Sequence, residues 1–230
     1  MSCIVAPLAT THSVITLTDM ETREVVLLGG GAHSRVLQET LGLLGVPVVG
    51  FVAPGGGGPL DSLAWLGSDN VLDGLDRRRT MLVNGVGSTR AAGLRATVFE
   101  AARALGFDFA TVVDPSAVVR TSARLGRGVQ VLAGAIVNTD AVVGEDSIVN
   151  SGAIIEHHCR LGNHVHVSPG AVLGGGVIVG DRSHVGLGAR VLQGVSIGSD
   201  CTIGAGAVVT HDVPDNSLAV GVPAAHRPAE

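Results

Sequence analysis

The chain has 230 residues, 46% of them apolar, with a formal net charge of −5 and a pI near 6.0. That acidic balance argues against a general nucleic-acid binder, which would carry a basic face; the length suits two modest domains or one extended one. All 15 basic residues are arginine, aromatics are 2% and glycine numbers 34, a composition nearer to a solenoid than to a conventional packed core.

Residues 1–22 read as an extension. Residues 1–20 carry no Lys or Arg, so they lack the charged start of a signal peptide. No apolar run reaches membrane-spanning length, and the expectation is a soluble, cytoplasmic protein. Three cysteines, Cys3, Cys159 and Cys201, offer neither a disulfide framework nor a CxxC metal site.

Glu24 to Leu28 reads as a buried strand, followed by the glycine-rich turn Gly29-Gly30-Gly31-Ala32-His33-Ser34. From about His33 to Leu44 the apolar spacing is helical; Gly45 ends the helix, and Val48 to Val52 is a second strand after Pro47. This is a small Rossmann-like βαβ unit, whose turn would set backbone N–H groups and a helix N-terminus around a phosphate. GGGAHS is a loose match to GxGxxG. The acid that would hold a ribose is missing, because the second strand ends in Ala53-Pro54 and the glycines 55 to 58. The plain alternative is that these glycines serve only a tight strand-to-helix turn. Leu60 to Arg79 mixes short helix and loop, with Arg77-Arg78-Arg79 as a solvated helix end. Met81 to Gly85 reads as a third strand, Ser88 to Leu105 as an amphipathic helix, and Phe107 to Val113 as a last strand leading into a run of hexads.

From Val113 to Val209 every sixth residue is Val, Leu or Ile, and from Ala117 to Val213 every sixth is Ala, Ser, Cys or Val. A strict period of six over so many units is the signature of a hexapeptide β-helix. Gly126, Gly144, Gly162, Gly180 and Gly198 lie 18 apart, so three hexads make one coil of a triangular prism. Glycine at one corner of each coil suits a backbone that needs an unusual conformation. Pro214 breaks the pattern, and the tail from Asp215 to Ala224 would cap the open strand edges. The division expected is thus 1–22, 23–110, 111–213 and 214–230.

Six of the nine histidines lie between Glu156 and Asp212, none at an inward slot. His164 and His211 read as surface residues. His157, flanked by Glu156 and His158, is placed to take a proton near neutral pH, as a general base requires. Gly175 lies 18 residues on, over the same spot of the next coil, and Gly174-Gly175-Gly176 offers unobstructed backbone N–H groups to a carbonyl oxygen. His166 and His184 stack on one face of adjacent coils. His157 and His166 lie half a coil apart and can meet only across two chains, which points to a homotrimer of parallel prisms.

The hexads, the GGGAHS turn, Glu156-His157-His158-Cys159 and the terminal Gly221–Ala224 together resemble bacterial sugar acetyltransferases of the sialic acid O-acetyltransferase type. That family includes N-acetyltransferases of nucleotide-linked 4-amino sugars. The resemblance spans residues 24 to 224. It implies an α/β N-terminal domain followed by a left-handed parallel β-helix of hexapeptide repeats, with acetyl-CoA as co-substrate in a groove between two β-helices of a trimer, and no metal. It implies His157 as the catalytic base with Glu156 and His158 beside it, and His166 and Gly175 at the thioester. His184, Gly188, Ala189, Arg190, Gly206, Ala207 and Pro223 would line the CoA groove. Gly29, Gly30, Gly31, His33 and Ser34 would lie on the sugar-nucleotide side. His158 stands where the family usually has an acid, and Ala53-Pro54 where it often has Asp. The acceptor expected is a nucleotide-linked 4-amino sugar for surface glycan synthesis, or a non-nucleotide acceptor. A zinc hydrolyase on the same scaffold is a second reading, weakened by the absence of a His–x4–His pair in the repeats; a non-catalytic scaffold is a third.

Overall fold

The computed structural model describes residues 23–56, 60, 62–88 and 93–229. The N-terminal extension and residues 57–59 of the glycine loop lie outside them. Strand β1 (Glu24–Leu28), helix α1 (Ala32–Leu43) and strand β2 (Val48–Val52) form the expected βαβ unit. The segment to Arg79 holds more than short helix and loop. Strand β3 (Trp65–Gly67) pairs with β2 before a 3-10 turn at Asp69–Gly74. The Arg77–Arg79 run is a turn ahead of β4 (Thr80–Asn84), not a helix end. Helix α2 (Gly93–Ala104) follows; residues 89–92, near the start expected for it, lie outside the described residues.

The last strand is two. Asp108–Phe109 (β5) joins the α/β sheet, and Val112–Val113 (β6) opens the β-helix. The five parallel strands run in the order β3-β2-β1-β4-β5. Alternation along β1 sends Val25 and Leu27 to α1 with Leu37 and Leu41, and Val26 and Leu28 to α2 with Phe99 and Ala102. The order reverses between β1 and β4, so the C-terminal ends of those strands flank a crevice where such sheets take ligands.

Two-residue strands then recur every six residues, from β6 to β22 (Val208–Val209), in three parallel sheets that wrap one core. From residue 129 to residue 213 both inward columns are buried throughout. The narrow prism accepts one branched aliphatic and one small residue per hexad. The tail forms β23 (Ser217–Gly221), which extends one sheet beside Thr202–Ile203, and β24 (Ala224–Pro228) pairs antiparallel to it.

The corner glycines have another cause than the one expected. Gly126, Gly144, Gly162, Gly180 and Gly198 do not adopt positive φ. They are glycine because coils stack there: a Cβ on Gly126 would sit 2.7 Å from the Glu145 amide, and one on Gly144 would strike the Gly162 carbonyl. The left-handed conformation recurs elsewhere, at every sixth residue from Gly128 (φ 70) to Gly206 (φ 67), as the second residue of each turn. Most of these positions are Gly or Asp, but His158 (φ 60), His164 (φ 58) and Arg182 (φ 58) share them. His and Asp tolerate this region better than most residues, at a cost of order 1 kcal/mol that Gly would avoid.

Candidate active site

His157 and His158 form one corner of the prism, between strands Ile154–Ile155 and Arg160–Leu161. Their Nδ1 atoms are 3.0 Å apart. The carboxylate of Glu156 turns away from both rings: it accepts from the His157 amide at 3.3 Å and from Asn138 Nδ2 at 3.2 Å. Behind His158 stands Asp140, one coil earlier in the same left-handed column, with Oδ2 3.7 Å from His158 Nε2. The sequence reading missed Asp140; its signal was the spacing of 18.

The His157 ring lies over Gly175. A Cβ on that glycine would fall 2.6 Å from ring atoms Cε1 and Nε2. Of the three glycine amides only one is open. Gly174 donates to the Val191 carbonyl and Gly176 to the His157 carbonyl, both at 2.9 Å, while the Gly175 amide has no partner among the described residues. The reason is local. At equivalent turns the residue before the amide caps it: Asn138 takes the Thr139 N–H at 3.2 Å and Asn150 the Ser151 N–H at 2.8 Å. Gly174 has no side chain to do so, and a Cβ there would meet the Gln193 amide at 2.6 Å.

His166 and His184 pair across adjacent strands, their rings edge-to-face with centroids 4.9 Å apart. Although outward-facing they are buried, because one of the prism's three sheets carries the α/β domain. Its outward column holds Val112, Gln130, Ile148, His166 and His184, and the first four lie under that domain or against Ser88. His166 Nδ1 lies 2.7 Å from the Ser88 carbonyl, so it carries the hydrogen and donates; Nε2 then accepts from Asn150 Nδ2 at 3.1 Å. His184 Nε2 meets the Ser168 hydroxyl at 3.1 Å, and its buried Nδ1 has no partner among the described residues. Both rings border an open pocket of about 380 Å³ with Ser88, Ser168, Gly186 and Thr202.

His164 is not the surface residue its hexad position suggested. Only 7% exposed, it lies edge-on to Phe99, with Nδ1 3.0 Å from Asp146 Oδ2 and Nε2 3.3 Å from Glu100 Oε1. Asp146 also pairs at 2.8 Å with Arg95 of α2, and both side chains are fully buried. Arg95 further donates to the carbonyls of Asn84 and Val86, and Asn84 Nδ2 donates to Asp146 Oδ1. Sequence reasoning missed this network, since an arginine and an aspartate 51 residues apart give no signal of their pairing.

On the glycine turn, Gly31 faces open space, and α1 begins there without a side-chain cap, so its first amides are available. His33 Nε2 meets Gln130 Oε1 at 2.7 Å, linking α1 to the β-helix. Ser34 does not face a ligand. It is fully buried, and its hydroxyl lies 2.7 Å from the Gly29 carbonyl and 3.1 Å from that of Gly85, tying two strand ends together. Gly188, Arg190, Gly206 and Pro223 are exposed. Ala189 and Ala207 fill inward slots, so only their backbone can reach a groove. Cys159 and Cys201 are buried core residues, and burial pushes the Cys159 thiol up to about 11. Among the described residues no group of three or more His, Cys, Asp and Glu is placed to hold a metal, and no helix is long and apolar enough to cross a membrane.

These histidines predict an acid-sensitive fold. Burial, aided by the Arg95 charge, lowers His33 from its ordinary 6.5 to about 4; burial and the neighbouring His184 lower His166 to about 3. As pH falls below 6.5 the unfolded chain takes up protons that these folded sites refuse, so stability drops from there through pH 4 to 3. His164 acts in reverse: burial opposes its proton, but Asp146 and Glu100 outweigh it and raise its pKa. Its contribution is present below 6.5 and lost as pH rises through the folded value. Burial lowers His184 as well, so with three lowered histidines against one raised, the Tm by circular dichroism falls between pH 7 and pH 4; a Tm that rose on acidification would contradict this reading.

The hexapeptide prism is the fold of an acyltransferase, and similarity to known proteins gives that class. Residues 140–175 match the family model for the bacterial transferase hexapeptide (six repeats), and residues 176–211 that for the hexapeptide repeat of succinyl-transferase. Perosamine N-acetyltransferase from Caulobacter crescentus, solved with CoA and GDP-perosamine, is 40% identical, with a TM-score of 0.83 over 89% of this chain and 96% of that one. The acetyltransferase domain of PglB from Neisseria gonorrhoeae, solved with acetyl coenzyme A, is 34% identical, with a TM-score of 0.84 over 89% and 98%. WeeI from Acinetobacter baumannii, 20% identical with a TM-score of 0.81, shares the fold. No curated protein sequence matches the chain. The chain belongs to the family of acetyl-CoA-dependent sugar N-acetyltransferases, and its β-helix is left-handed.

Proposed function

We propose that the chain transfers the acetyl group of acetyl-CoA to the amine of a nucleotide-linked 4-amino sugar, in the cytoplasm, for surface glycan synthesis. The observation that carries this reading is the open Gly175 amide beneath the His157 ring. The acceptor amine attacks the thioester carbonyl, whose developing oxyanion takes the Gly175 N–H. His157 Nε2 accepts the amine proton, the carbon–sulfur bond breaks, and the imidazolium returns the proton to the departing CoA thiolate. In two of the Caulobacter enzyme's structures with CoA and GDP-perosamine, Asn or Ala replaces a histidine.

For Nε2 to act as base, Nδ1 must carry the hydrogen of His157 and donate to His158 Nδ1. His158 then holds its own hydrogen on Nε2, toward Asp140. The Asp140–His158 pair thereby stands in for the acid that the family places after the base, and fixes the tautomer of His157. Asp140→Asn is expected to lower kcat about tenfold, as loss of such an orienting partner commonly does, with the KM for acetyl-CoA unchanged. Equal kcat would remove Asp140 from this role.

His166, His184 and their pocket lie on a different face from His157 in the same chain, so the site is completed by a neighbouring prism in a homotrimer. Exposed Ile178, Leu187 and Leu192 on the outside of the helix supply apolar surface for that contact. Three chains of 23.1 kDa predict a sedimenting species of about 69 kDa; a monomer in the active preparation would sink the shared site. The first amides of α1 at Gly31 would take the nucleotide phosphates. The reading is tested by thiol release from acetyl-CoA with UDP-, GDP- and dTDP-linked 4-amino sugars. Release with one establishes it, and none with any moves the acceptor outside nucleotide sugars.

A further inference from the structure

Beyond the histidines and glycines, the α/β domain presents one unused feature. Phe51, Phe99, Phe107 and Phe109 are each at most 1% exposed, but Trp65 is 49% exposed. A large aromatic side chain left in solvent forgoes much of the gain from burial.

Its place in the fold is specific. Trp65 opens the edge strand β3 opposite Phe51, and its indole N–H reaches along the strand to the Ala53 carbonyl at 3.1 Å. A Cβ on Gly56 would lie 3.0 Å from ring atoms Cδ2 and Cε3, so main chain backs part of the ring. Ala53, which holds the indole, also borders the glycine-rich turn: a Cβ on Gly30 would lie 3.5 Å from the Ala53 Cβ. The indole is thus held through Ala53 beside the glycine-rich turn, where the second strand ends in Ala53-Pro54 without the acid that would grip a ribose.

We infer that the Trp65 indole is the stacking platform for the nucleobase of the sugar nucleotide, an inference that rests on the acceptor reading above. With phosphates on the first amides of α1, the base extends toward the end of β2 and meets the exposed part of the ring. Stacking on a fixed aromatic plane requires no ribose contact, so it replaces recognition by a carboxylate. The wider overlap of a purine favours GDP over UDP and dTDP.

Trp65 is the single tryptophan and the chain has no tyrosine, so emission excited at 295 nm reports on this ring alone. Titration with GDP is expected to quench it saturably, with the same Kd as calorimetry gives. Trp65→Leu is expected to weaken GDP binding by about 5- to 100-fold, the range for loss of one base stack, and Trp65→Phe by less. The KM for acetyl-CoA stays unchanged in both. Calorimetric binding of GDP with no change in emission, or undiminished affinity in Trp65→Leu, overturns the stacking platform and leaves the nucleotide-sugar reading intact. No calorimetric binding of GDP, UDP or dTDP overturns both.

Discussion

Replacing His157 by alanine is expected to lower turnover by roughly 10²–10⁴-fold, the range for a positioned acid–base group. The loss should fall on kcat, because His157 is exposed at a turn and its removal leaves the inward columns of the prism untouched. Thiol release at saturating acetyl-CoA measures it. His157→Asn serves as the second variant, since Asn is well tolerated at turns and cannot accept a proton at neutral pH. Unchanged turnover in both would remove His157 from the base role. A loss in KM for acetyl-CoA alone would make it a binding residue.

Arg95→Ala is expected to have the largest effect on stability. Breaking a buried pair by removing one partner costs about 3–5 kcal/mol, because the remaining charge stays buried without its counterion. Asp146 is fully buried and, among the described residues, would keep only Asn84 and His164 as side-chain partners. For a chain of this size the loss lowers Tm by roughly 10 °C. Arg95 also holds the Val86 carbonyl, two residues before Ser88, which anchors His166. The same substitution should therefore loosen the His166 pocket and raise the KM for acetyl-CoA. A Tm within a degree or two of the unsubstituted protein would show that the junction carries little of the stability.

The hexads made the β-helix legible because a prism with one narrow core imposes the same steric demand on every coil. Position in the hexad alone places a side chain inside or outside. The stacking of Gly175 over His157 and of His184 over His166 followed from the 18-residue coil for the same reason. Spacing failed where the cause of a residue lay in another element. Gly144 and Gly162 recur in the repeat because neighbouring coils touch there, which periodicity shows without saying whether a Cβ or a dihedral is at fault. Strand β3 was hidden in a short apolar run, Trp65–Gly67, that gains strand character only by pairing with β2.

The amino-acid sequence by itself determined the coil, the inward columns, the corner that carries His157 and the glycine-rich turn. Each depends on local geometry repeated at a fixed period or set by a short run of glycines. Only the tertiary structure decided which of the three outward faces would be covered. The α/β domain packs on one sheet, and that contact buries His164 and His166 and sinks Arg95 beside Asp146; within that domain, the approach of two strand ends sets Ser34 between two carbonyls. It also decided which amide stays open, since Gly174 and Gly176 spend theirs on neighbouring coils and Gly175 does not. Burial and hydrogen-bond satisfaction are properties of the assembled chain, and no period along the sequence encodes them.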